Sequence, residues 1–425
     1  MRWPIKYLCF MFGIVFLPAN IYAQEESLER LKIQLKRSNH DTTLVKTYNS
    51  IAEALYTNLP DSAMVMWELS IKLAEKNISS DDPNAVKLRP FYKKQLATML
   101  SNISFIYYQH GQIQITLENL ERSLKINEEL NDKNGIALSL NGIGYIYDAL
   151  GDVTKSLEYF HRSLKISEEI KDKKGIGVSL NNIGFMYDAQ GDLLKALECY
   201  LQDLKLREEI KDEEGIANSL NNIGTIRERQ KNYEEALNCY KKSLAISELR
   251  KDRYGIALTF LNIGSVYEEQ KKFKEAQEYY FKTLAIRQDL NDKEGITRAD
   301  RRIANLFLWQ GNYKEALEHG IRSLRMGKEL GFPSNIQDAA RILKAIYSKQ
   351  SKYKEAFDMY ELEIKMNDSI ANEETKKAAI KKQVQYVYEK KAAQDSVKNA
   401  EEQKIKNARL GAQRSQLIKE KTQRY

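Results

Sequence analysis

The chain has 425 residues, 42% apolar and 30% charged, with only 6 Pro and 20 Gly. That composition suits a mostly helical protein, built as two or three domains or as one elongated repeat array. Collagen-like, Pro-rich disordered and all-β chains are excluded. The formal charge of +8 is also uneven: residues 375–425 hold 14 Lys+Arg against 5 Asp+Glu, leaving 53 against 54 for everything before them. A nucleic-acid-binding body would carry its basic stripe in the folded part, so no nucleic-acid partner is expected.

Residues 1–23 stand apart. Arg2 and Lys6 make a positive start, Tyr7 to Leu17 form an apolar run, and Pro18 breaks it. Ile21-Tyr22-Ala23 then ends on a small residue before Gln24. This is the pattern of a secretory signal peptide cleaved after Ala23, which implies an exported, periplasmic protein. The alternative is an uncleaved anchor, although the run is short against the roughly 20 residues a spanning helix needs. Cys9 sits inside the apolar run rather than behind a lipobox, so a lipoprotein is not expected. No later segment is apolar enough to cross a membrane.

Residues 24–42 read as an N-terminal helical cap and 43–94 as a degenerate first repeat with a linker. In it Asn49, Ile51 and Ala52 match Asn141, Ile143 and Gly144. From Gln95 a 40-residue period takes over. GIALSLNGIGYIYDALGDVTKSLEYFHRSLKISEEIKDKK at 135–174 is followed by GIGVSLNNIGFMYDAQGDLLKALECYLQDLKLREEIKDEE at 175–214. Units starting at Gly215, Gly255, Gly295 and Asn335 continue in register, so seven units fill 95–374. Self-similarity at this period marks a solenoid.

Each unit reads as two helices. Ile136, Leu140, Ile143, Ile146 and Tyr147 keep helical spacing, Gly151-Asp152 interrupts, and Leu157, Phe160, Leu164 and Ile166 resume it. Asp132, Asp172, Asp212, Asp252 and Asp292 each precede a Gly by three residues and are expected to cap the next helix. A calcium loop needs several oxygens within 12 residues and a closing Glu, which these turns lack. Gly144, Gly184, Gly224 and Gly264 leave room where the two helices cross, with Ala196, Ala236 and Ala276 as the matching small residues. Tyr200, Tyr240 and Tyr280 fill the space around them. Cys199 and Cys239 lie one unit apart, farther than the roughly 5.5–6 Å Cα separation of a disulfide, and are expected as partly buried thiols.

These columns resemble the tetratricopeptide repeat. Ile183-Gly184, Tyr187, Gly191, Ala196 and Tyr200 match its small-residue and aromatic pattern. The units lack its usual proline and are longer than its common 34 residues. They are similar to the 40-residue subclass of Pins-type polarity adaptors and of bacterial peptide-responsive regulators. Arg227 in place of the first-helix Tyr and Lys344 in place of the Gly depart from the pattern. The resemblance implies an all-α solenoid, a right-handed superhelix of helix-turn-helix repeats whose first helices line a concave groove for a protein or peptide segment.

On that mapping Asn102, Asn141, Asn182, Asn222 and Asn262 fall at or beside the groove. Asn is a poor helix-interior residue, so a ladder of them needs a compensating role. Two readings are open. The amides grip the main chain of an extended peptide, or they bridge neighbouring helices. Arg298, Arg301 and Arg302 share one helical face. Either they take an acidic segment, or they are a solvated face paired with nearby acids.

From Thr375 the repeats stop, and Ala, Lys, Gln and Glu dominate a segment expected to be a long exposed helix. Its apolar residues hold no clean heptad, which leaves a coiled coil and a solvated helix both open. A leader, 40-residue repeats and a charged helix resemble the sensor half of bacterial membrane signal transducers, which implies a membrane-bound effector reached through the C-terminal helix. The alternative is a free-standing periplasmic assembly scaffold. GxxxxGK[ST], HExxH, GxSxG and CxxC patterns are absent, and His40, His110, His161 and His319 are scattered. No catalysis, metal, cofactor or small-molecule substrate is expected.

Overall fold

The computed structural model describes residues 21–37, 40–56, 59–378, 380–382 and 384. The leader pattern therefore falls almost wholly outside the described residues, as does most of the tail after Thr375. The chain divides into two units between Glu373 and Glu374. In the second unit the described residues are helical.

The first unit is an α-solenoid. Helix Ile21–Arg37 precedes the pair Asp41–Leu55 and Pro60–Ile78. Pro83–Gln109 and Ile113–Glu129 form the next pair. Pairs then recur as Lys133–Ala149 with Val153–Glu169, Lys173–Ala189 with Leu193–Glu209, and Glu213–Arg229 with Tyr233–Leu249. Arg253–Glu269 with Phe273–Asp289 and Lys293–Gln310 with Tyr313–Leu330 follow. Pro333–Lys349 pairs with a helix starting at 353. From Ile21–Arg37 to Pro333–Lys349 each helix packs on the next, so neither member of a pair buries its apolar side alone.

Local chemistry sets the boundaries. Asp132, Asp212 and Asp292 accept the backbone N–H of Gly135, Gly215 and Gly295 at 3.1, 3.1 and 2.9 Å. Asp172 caps Lys174 instead, and Asp252 makes no side-chain cap bond. The turn inside each unit needs one left-handed residue. Gly151 and Gly191 supply it at φ 71° and 82°, whereas Lys231 and Lys271 hold φ 62° and 60°, a conformation that costs a non-glycine residue about 1 kcal/mol.

Between the helices, what meets the glycine column is an aromatic ring. A Cβ at Gly144 would sit 2.8 Å from the Phe160 ring, one at Gly224 2.5 Å from Tyr240, and one at Gly264 2.6 Å from Tyr280. The rings of the second helices thus fill the space left by the glycines, and Ala196, Ala236 and Ala276 are buried beside them. A second device was not read from the sequence. Ser123, Ser163 and Ser243 are buried on second helices and donate to the carbonyls of Ala97, Ala137 and Ala217 on the paired first helix, at 2.8 to 2.9 Å. Thr283 and Ser323 repeat it at 3.4 and 3.2 Å. Each such bond contributes about 1 kcal/mol and fixes the register of the pair.

One unit replaces this clamp. Asp203 stands in the hydroxyl column and accepts from Ser219 at 2.6 Å and from Arg207 Nε at 3.0 Å. Arg207 is itself buried and reaches Asp212 at 2.6 Å. Burial pushes the Asp203 carboxyl up, against the pull of the guanidinium.

Candidate functional site

The asparagines of the ladder lie on consecutive first helices, and their environments differ. Asn102, Asn141 and Asn182 are buried. Asn141 donates weakly to Ser179 Oγ at 3.5 Å while its carbonyl oxygen has no partner. Asn182 is 1% exposed and neither of its amide atoms is hydrogen-bonded. Farther along, the amides are spent. Asn222 donates to Asn181 at 2.7 Å, and Asn262 donates to Asn221 at 3.4 Å, each reaching back to the preceding first helix. Asn221 in turn donates to Ser243 and Thr259 at 2.7 and 3.1 Å.

Beside this ladder runs a row of acids. Asp188 pairs with Arg229 of the next unit. Glu228 accepts from Tyr240 at 2.9 Å and from Ser265 at 2.7 Å, and burial lifts its carboxyl above the ordinary range despite both bonds. Glu268 is buried, takes the Tyr280 hydroxyl and lies 3.5 Å from Arg302. The aromatic rings that fill the glycine seats therefore also hold two of these carboxylates.

All three arginines of the cluster are ion-paired within the chain. Arg298 donates to Glu294 one turn earlier at 3.0 Å, Arg301 pairs with Asp338 of the next unit, and Arg302 faces Glu268 of the preceding one. Burial pulls Arg301 below its usual range, opposed by Asp338. The cluster is thus a crosslink among three consecutive first helices, with its charge matched locally.

A further charged group went unread in the sequence. Asp300 is fully buried where Leu140, Leu180 and Leu220 stand in other units. It accepts from Arg322 Nε at 2.5 Å and lies 2.8 Å from His319 Nδ1, whose ring contacts Phe281 and Phe307. An acid in an otherwise apolar column was the available signal. Cys199 and Cys239 are free and half-buried; burial pushes the Cys199 thiol up to about 11 and raises Cys239. Among the described residues no group of three or more His, Cys, Asp or Glu could hold a metal ion. None of the described helices is long and apolar enough to cross a membrane.

The tetratricopeptide-repeat family model matches residues 95–169, 135–209 and 215–289. The matched repeats within 95–289 are therefore tetratricopeptide repeats, and the fold is the α-solenoid that such repeats build. No curated protein matches the sequence. Among solved structures, the apo quorum sensor NprR from B. thuringiensis is 15% identical, with 85% of this chain and 96% of that one covered at a TM-score of 0.54. Aspartyl phosphate phosphatase F from Bacillus subtilis is 14% identical, with 85% and 91% covered and a TM-score of 0.52. A Rap protein complexed with competence and sporulation factor is 13% identical, with 81% and 99% covered at 0.51. At these identities the likeness is one of fold.

Proposed function

We propose that the first-helix layer binds an extended peptide segment of a protein partner, centred on Asn141 and Asn182, and that the chain works by binding rather than by catalysis. The observation that carries this reading is the buried, unpaired amide. Asn182 leaves both amide atoms and Asn141 its carbonyl oxygen without a hydrogen bond. A buried polar group without a partner costs about 1–3 kcal/mol, so an apolar residue would serve stability better. A peptide main chain offers the donor and acceptor that such an amide lacks, and meeting it requires the side chain to turn out of the closed helix junction. The likeness in fold to a Rap protein complexed with competence and sporulation factor supports the reading without identifying a ligand.

The bonds Asn222–Asn181 and Asn262–Asn221 favour a structural role for the later members of the ladder. In this reading the peptide seat is confined to the units beginning at Gly135 and Gly175, and Asn102 flanks it. Occupancy would bias the curvature of the solenoid and so report to a signalling partner. An exported, periplasmic setting rests on the leader pattern of residues 1–23 alone, and a role as a free-standing assembly scaffold remains its rival.

Panning a random-peptide phage library on the purified chain tests this. Enriched peptides should bind in solution, and Asn141→Leu with Asn182→Leu should abolish that binding at unchanged helicity. Peptides that bind the double variant with undiminished affinity would refute the seat, and failure to enrich any peptide would remove the function.

A further inference from the structure

The second helices repeat one outward face. Its aromatic column is Phe160, Tyr200, Tyr240 and Tyr280, each fully or almost fully buried. Each ring is covered from two sides, by the glycine of its own unit's first helix, as Gly144 meets Phe160, and by the first helix of the next unit. Ile183 and Met186 close over Phe160, Ile223 and Ile226 over Tyr200, and Ile263 and Val266 over Tyr240. Each junction sets a ring against aliphatic side chains at i and i+3, one helical turn apart.

In the helix starting at 353 that column carries Tyr360, and the columns of Val153, Leu157 and Leu164 on the same side carry Tyr353, Phe357 and Ile364. They are 72%, 58%, 47% and 42% exposed. The opposite side of that helix packs Met359, Leu362 and Met366 into the last core cluster, so the helix is correctly seated on its own partner. Terminal repeats of a solenoid ordinarily present a polar outer side. Here the side whose ring four earlier units bury is apolar and open, which marks an interaction surface.

We propose that this face docks an amphipathic helix of another polypeptide, carrying aliphatic side chains at i and i+3 as Ile223 and Ile226 do. The incoming helix would add to the array as the first helix of a further unit. Continuity with the junctions already built along the chain selects this occupant. A second copy would instead oppose Tyr353, Phe357 and Tyr360 to themselves, ring on ring, which fits the face less well than aliphatic cover.

The probe is a fluorescein-labelled, hydrocarbon-stapled peptide of residues 213–229, with the staple opposite Ile223 and Ile226, titrated into the full chain by fluorescence anisotropy. Saturable binding is expected, weakened at least tenfold by Phe357→Glu and by Tyr360→Glu. Leu249→Glu, at an exposed site on a different helix, should leave it intact. Because Phe357 is exposed, its variant should fold, and circular dichroism checks this. Absent binding by the unaltered chain, or equal binding by Phe357→Glu, overturns the proposal. So does a dimer in light scattering that Phe357→Glu dissolves, since a second copy would then cover the face.

Discussion

The first-helix layer divides into two stretches of the same backbone and opposite polar economy. Between Asn141 and Asn182 three buried amide atoms go unpaired, whereas Asn222, Glu228, Asn262 and Arg302 meet partners across units. Both stretches look like polar ladders along the sequence. Their difference shows that a polar column at repeat spacing has two uses, tying neighbouring units together or holding capacity in reserve. Pairing, not residue type, separates them.

Breaking the paired stretch should have the largest effect. Glu268→Ala leaves the buried Tyr280 hydroxyl without its acceptor and Arg302 without its acid, and should destabilise the chain by about 2–3 kcal/mol. Denaturant midpoints at constant slope measure it. Asn182→Leu should act in the opposite direction, raising stability by about 1–2 kcal/mol, because it removes two unpaired buried atoms and adds apolar burial. A loss of stability there would mean that the two stretches are alike. Asn222→Ala, which deletes the 2.7 Å bond to Asn181, should cost about 1 kcal/mol.

Protonation sharpens the contrast from another side. The Glu228 carboxyl is raised above its ordinary value of 4.5, with burial as the largest cause. Between the unfolded and the folded value the native state holds the proton more tightly, so this group makes stability fall as pH rises through that window. Glu228→Gln should flatten that part of the pH–stability curve. A curve of unchanged slope would assign the dependence to another carboxyl, such as Asp203, which burial also raises.

Much of this was legible beforehand, for physical reasons. The glycine column could be read because a ring needs the volume that a missing Cβ leaves, and the capping aspartates because a free N–H needs a nearby oxygen. The hydroxyl clamp of Ser163 on Ala137 was hidden, since Ser is common on helices and its acceptor is a carbonyl with no sequence signature. Amide direction was hidden too. Whether Asn182 or Asn222 finds a partner depends on side-chain orientation across a junction of two helices, which residue type does not encode. The acids of the arginine cluster were half-legible: Glu268 and Asp338 each stand nearly one period away, where the repeat register places neighbouring first helices side by side.

The smallest expected effect tests the arginine end. Arg298 bonds Glu294 one turn away on its own helix, at 3.0 Å and in contact with solvent. Exposed pairs at this spacing contribute about 0.3–0.5 kcal/mol, so Arg298→Ala should shift the denaturant midpoint only slightly. Arg301→Ala should cost more, because it strips Asp338 of a partner that crosses between units. Equal effects would mean that the crosslink contributes nothing beyond a surface pair, and the paired stretch would then owe its order to Glu268 and the tyrosines alone. A larger loss at Arg301 would place the arginines with the asparagines at 222 and 262, as ties between successive helices.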